Sequence, residues 1–303
     1  MRLGLCCIFA EGDIRFRTTT ARALEKLSGE GRADRLRELA AHNAASLHEA
    51  IEYCSTHDIG CFRVNSQILP LKTHGRFGYG ADLLGDEIID AYRRCGQLAR
   101  DTDTRISFHP DQFVVLSSPE RRVVDSSIAE IEYLAEVAEW IGADVINVHG
   151  GGGYGDKPAA LGRLIGVVGE LSDRARSRLT LENDDRVYTP SDLLPVCHRA
   201  GLPLVYDVHH HRCHGDGLGV EEATRLAVET WDREPLFHIS SPREGWSSKA
   251  PRPHGDYIDP SDFPVLWDAM DITVEVEAKA RELALLRLQG SLKRRSSQEV
   301  TSQ

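Results

Sequence analysis

Short apolar runs alternate along the chain with longer stretches whose apolar residues recur at helical spacing. Leu3 to Phe9 lacks helical periodicity and predicts a first buried strand. From Asp34 to His57, Leu36, Leu39, Leu47 and Ile51 share one face and predict a helix. Gly60 introduces a second strand, Cys61 to Val64, followed by a loop and a helix from Asp82 to Arg100. The third strand, Arg105 to Phe108, leads to a helix from Glu120 to Ile141, which Gly142 ends. Val145 to Val148 precedes a helix from Lys157 to Arg176, and Leu179 to Leu181 precedes one from Pro190 to Arg199, with proline at its start and Gly201 at its end. A sixth strand ends at Asp207, before a helix from Val220 to Thr230. Leu236 to Ile239 is the seventh, with a long loop and a helix from Ser261 to Met270 behind it. Ile272 to Glu277 is the eighth, feeding a helix from Ala278 to Leu288.

Eight strands, each followed by a helix, predict an α/β fold: a TIM (β/α)8 barrel, a single domain spanning 1–290, with a polar, disordered tail at 291–303. Active sites of such barrels lie at the carboxyl ends of the strands. Here those ends carry His109, His149, Glu182, Asp207 and Glu277, with His238 inside strand seven and His210 just beyond strand six. One such group alone reads best as a hydrogen-bonded core residue. Five strand ends together concentrate more acid and imidazole than a barrel mouth can desolvate unaided, which points to bound cations. His, Asp and Glu without thiolates suit zinc, manganese or iron, and Glu182, midway round, is placed to bridge two ions.

The length, 303 residues, is ample for such a barrel. A net charge of -11 argues against nucleic-acid binding by the surface at large, although bound cations can create a local positive face. No stretch is long and apolar enough to span a membrane and the first residues do not form a secretory signal, so the expectation is a cytoplasmic protein. Seven cysteines without a CxxC pair read as reduced, structural thiols. Gly150 to Gly153 suits either a phosphate cradle or a tight turn. The loop after strand seven offers Arg243, Lys249 and Arg252 beside Trp246, either a solvated surface or phosphate contacts. Gln112 and Phe113 suit loop packing or a wedge that unstacks bases.

Taken in order, Phe62-Arg63-Val64-Asn65-Ser66, His109-Pro110-Asp111-Gln112-Phe113, Leu181-Glu182-Asn183-Asp184-Asp185, Asp207-Val208-His209-His210 and His238-Ile239-Ser240-Ser241 resemble the UV damage endonucleases, the UvsE/UVDE family. These are metal-dependent TIM-barrel repair enzymes related to endonuclease IV, and the resemblance runs from Arg2 to Glu282. It implies two or three divalent ions, manganese first and zinc or magnesium as substitutes. One ion would be held by His109, His149 and Glu182, a second by Glu182, Asp207, His238 and Glu277, and a third by His210 and His254, with Asp256 nearby. Glu182, Asp207 and His238 would be central to catalysis, and His209 and His211 would play supporting parts. Gln112 and Phe113 match the family's Gln-Tyr probe of the lesion, His74 a loop histidine lining the site, and Arg212, Arg243, Lys249 and Arg252 would contact phosphates. The implied partner is damaged double-stranded DNA, cut immediately 5′ to a lesion by a monomer without an obligate protein partner. Two departures stand out: Leu236 where the family has a lysine, and Leu5 where it has an aromatic. The alternatives are a metal-dependent sugar isomerase on the same barrel and a DNA-binding relative with weakened catalysis.

Overall fold

A strand buried on both faces needs only a few apolar residues to cross a barrel wall, and most strands here are four or five residues long. The computed structural model describes residues 1–301. Its strands are β1 (Arg2–Cys6), β2 (Cys61–Val64), β3 (Arg105–Phe108), β4 (Val145–His149), β5 (Leu179–Glu182), β6 (Leu204–Val205), β7 (Leu236–Ile239) and β8 (Thr273–Val276). They form one parallel sheet in the order β6-β5-β4-β3-β2-β1-β8-β7. The ends of that order meet where Asp207 bridges His238 and the His238 N–H donates to the Tyr206 carbonyl at 3.1 Å. The result is the expected (β/α)8 barrel.

The helices are α1 (Ala21–Glu25), α2 (Gly29–Thr56), α3 (Asp86–Asp101), α4 (Arg121–Ile141), α5 (Lys157–Val168), α6 (Asp173–Arg176), α7 (Pro190–Ala200), α8 (Val208–Cys213), α9 (Val220–Val228) and α10 (Arg281–Thr301). The α4 stripe Ile131, Leu134, Ala138 and Ile141 is fully buried, and Gly142 ends the helix in the left-handed region at φ 73°. Thr189 and Asp192 form a capping box at the start of α7.

Inside the barrel, Val145, Val205 and Leu236 close the lower end with Trp231 packed against them. Above them the interior turns polar, since Ser107 on β3 reaches Glu275 on β8, strands that do not pair.

Several boundaries depart from the pattern-based expectation. The helix expected from Lys157 to Arg176 is two, with Ser172 capping α6. Ser261 to Met270 forms two short 3-10 turns, Pro260–Asp262 and Val265–Ala269, because Pro264 holds Phe263 extended between them. The tail expected to be disordered from 291 continues α10: Leu292 is buried and Arg295 reaches Asp268 at 2.6 Å, while Ser302 and Gln303 lie outside the described residues. Its polar composition concealed a continuing apolar face, Leu285, Leu288 and Leu292, all buried.

Candidate metal centre

Glu182, the last residue of β5, is completely buried among imidazoles. His109 Nε2 lies 3.0 Å from its Oε2, and His149 Nδ1 3.9 Å from the same oxygen. His210 Nδ1 and His238 Nδ1 each lie 3.2 Å from Oε1. Asn147 on β4 donates to Oε2 at 2.6 Å and fixes the carboxylate in the barrel mouth. Asp207 Oδ2 stands 3.4 Å from His210 Nδ1, Glu277 Oε1 3.5 Å from His238 Nδ1, and His254 Nδ1 3.6 Å from Glu277 Oε2. All eight expected ligands therefore join one chain of contacts. Three sets converge within 4.8 Å: His109, His149 and Glu182; Glu182, Asp207 and His238; and His109, His238 and Glu277. His210 and His254 fall outside these sets, their rings 6.0 Å apart.

Local folding explains how the second side of the cluster is held. β6 stops after two residues, and Asn183 replaces the missing ladder by donating to the Asp207 carbonyl at 2.9 Å and accepting from its N–H at 3.0 Å. Asp207 then caps α8, its Oδ1 accepting from the His210 N–H at 2.7 Å. His211 turns away to Tyr206 Oη at 2.7 Å and Asp216 at 2.9 Å, and His209 contacts the Arg252 carbonyl at 3.1 Å.

The charge balance explains the ionisation pattern. Burial pushes the Glu182 carboxyl up, but His149, His238 and His109 outweigh it and hold the group well below the usual carboxylate range. Burial lowers His210 and His238, yet Asp207 beside the first and Glu182 and Glu277 beside the second raise both well above an ordinary imidazole. Two residues without an assigned role in the sequence reading complete this balance. Arg63 Nη1 donates to Glu277 at 2.6 Å and Glu275 at 3.1 Å, and Glu275 Oε2 lies 3.0 Å from His238 Nε2. Against burial, Arg63, His238 and Ser107 bring the Glu275 carboxyl down to about 2. The available signal was a charged residue at an inward position of an otherwise apolar strand.

Several buried polar atoms in this mouth lie near one another yet make no hydrogen bond of acceptable geometry: His109 Nδ1, His149 Nδ1, Glu182 Oε1, Asp207 Oδ2 and His238 Nδ1. Such atoms cost free energy unless something satisfies them, and a cation suits imidazole nitrogens and carboxylate oxygens together.

The expected DNA contacts are more dispersed. Gln112 is exposed and Phe113 is 77% exposed, on a turn in which Asp111 accepts from the Phe113 and Val114 amides. Arg212 is tied to Asp262 and lies over Trp246, Arg243 pairs with Glu244, and Arg252 with Asp185, while Lys249 is exposed. His74 accepts from the Arg76 and Phe77 amides, and its contacts do not reach the ligand cluster. Leu5 is fully buried in the main core, and Leu236 lies in the lower barrel layer. Gly150 serves close packing, since a Cβ there would come within 2.7 Å of the Tyr188 ring.

A family model described as UV-endonuclease UvdE matches residues 1–302. The chain belongs to this family. A UV DNA damage endonuclease of Bacillus velezensis is 36% identical over 288 residues, covering 90% of this chain and 87% of the relative. A crystal structure of SacUVDE superposes with a TM-score of 0.87 at 27% identity, covering 98% of this chain and 99% of that one. Endonuclease IV from Thermus thermophilus shares the fold, with a TM-score of 0.63 at 15% identity over 97% of this chain and 98% of that one. As a member of the UvdE family the chain is a nuclease, with DNA as its substrate. Family membership decides against the sugar-isomerase alternative.

Proposed function

We propose that this chain hydrolyses the phosphodiester immediately 5′ to a DNA lesion, a pyrimidine dimer foremost and abasic sites or other distortions besides, and so starts excision repair. The convergence at the strand ends of buried nitrogens and oxygens that are not hydrogen-bonded carries this reading. His109, His149 and Glu182 would hold one divalent ion, and Glu182, Asp207, His238 and Glu277 a second. His210 and His254 would hold a third, with manganese the preferred metal and zinc or magnesium alternatives. Bound there, the ions supply an acidified water and neutralise charge building on the phosphate.

The chain's own residues set the rest of the reaction. Glu182 keeps the two main ligand sets in register, and Arg63 holds Glu277 in place. Gln112 and Phe113 enter the duplex at the lesion, the amide filling space beside an aromatic face that stacks on extruded bases. A weakly stacked lesion costs less to open than intact duplex, which makes distortion the recognised property. The enzyme acts as a monomer in the cytoplasm without an obligate protein partner.

The test uses 5′-labelled duplexes carrying a pyrimidine dimer, an abasic site or no lesion, with manganese, magnesium or chelator. A nick 5′ to the lesion, dependent on the metal, is expected. Its absence on both damaged duplexes overturns the reading.

A further inference from the structure

We propose that Lys279 and Arg281, at the corner between β8 and α10, form a subsite for a backbone phosphate of the DNA strand. This rests on the nuclease function just proposed and says where the strand is gripped. A cavity of about 470 Å3 opens at this corner, a volume typical of ligand sites. It shares His254 and Glu277 with the metal centre and adds Arg63, Lys279 and Arg281 to its lining.

The cations around the mouth differ in how their charge is used. Arg63 is spent on Glu275 and Glu277, Arg212 on Asp262, Arg243 on Glu244 and Arg252 on Asp185. Among the described residues, neither Lys279 nor Arg281 has a carboxylate partner. Once a cation occupies Glu277, the balance in this corner is positive, and a phosphodiester is the anion a nuclease brings there.

The backbone that carries both side chains is fixed before any ligand arrives. The Glu277 N–H donates to the Ile239 carbonyl at 2.9 Å, and the Lys279 and Ala280 N–H groups donate to the Gly255 and Asp256 carbonyls at 3.0 Å. Arg281 itself stands at φ 52°, which few residues other than glycine and asparagine adopt easily. Phosphate contacts of this kind set register without reading sequence, as an enzyme directed by distortion requires.

The experiment compares DNA affinity against salt for the wild type, for Lys279→Ala with Arg281→Asn, and for a charge-matched control, Arg100→Ala with Lys293→Ala, at the opposite end of the barrel. Arg281→Asn removes the charge while suiting the left-handed backbone. An undamaged duplex and a dimer-containing duplex are each titrated by fluorescence anisotropy with manganese present. The expected result is a slope of log K against log salt smaller by about 1.8 in the first variant, near 0.9 per lost contact, on both duplexes. Arg281→Lys in the Lys279→Ala background should restore about half of it. A slope equal to the control's, with normal incision by the wild type, overturns the subsite alone. A wild type that neither binds DNA nor incises overturns the nuclease proposal together with it.

Discussion

Four imidazoles within 3.9 Å of one buried carboxylate leave Glu182 no neutral role. Glu182→Gln keeps the shape and removes the charge, so incision should disappear and divalent affinity in calorimetric titration should fall by at least about tenfold. A variant that binds the metal normally would falsify the bridging assignment. Phe113 presents the opposite case, an aromatic held almost wholly in water. Phe113→Ala should lower the affinity ratio of damaged to intact duplex by roughly tenfold, about the worth of one stacked base, with little change on intact DNA. Equal losses on both duplexes would make it a packing residue. At this scale the clustered residues were legible because imidazoles and carboxylates ending apolar runs converge at one mouth of a barrel. Glu275 and Arg63 were not, because their meaning depends on β8 and β2 lying either side of β1, which only closure of the barrel brings about.

At the scale of elements, one carboxylate fastens the first loop to the last helix. Glu282, buried at the start of α10, accepts from the Ala10 N–H at 2.7 Å and the Glu11 N–H at 2.8 Å. Burial pushes its carboxyl up, and the Ala10, Glu11 and Gly12 amides more than reverse this, holding it below the ordinary 4.5. A depressed carboxylate contributes its stability in full above the unfolded value and loses it as pH falls through the folded one. Glu282→Gln should therefore cost about 1.5 to 3 kcal/mol at neutral pH, and thermal melts of the two proteins should converge as pH falls below 4.5. A gap that does not narrow in acid would show that shape, not charge, matters there. Ending the chain after Gly290 removes buried Leu292 and the Arg295 contact to Asp268, and should cost about 2 kcal/mol by denaturant titration. The strands were legible because burial on both faces writes them as continuous apolar runs. α8 was hidden because its aspartate and histidines read as ligands, and the break between α5 and α6 depends on local capping that periodicity does not reveal.

For the whole molecule, a net charge of -11 meets a polyanionic substrate, and the proposed ions resolve the conflict at the mouth alone. Ligands that bind only the folded state raise its stability, by about 2.7 kcal/mol at a hundredfold excess over Kd. Manganese should accordingly raise Tm in a concentration-dependent way and chelator should reverse it, while an unchanged Tm across the titration would deny tight binding. The location of the candidate centre was legible from the alternation of strands and helices, because that pattern already fixes which end of the barrel gathers the strand termini.

The seam between β6 and β7 has a consequence for how the molecule matures. Its last rung pairs Asp207 with His238, two proposed ligands, and the His238 N–H bonds across it to Tyr206. A cation held by both side chains would clasp the closed ring, so that loading would add to the stability of this seam. Amide exchange at His238 should slow on loading while the β1–β2 rungs, already fastened by their own ladder, keep their rate.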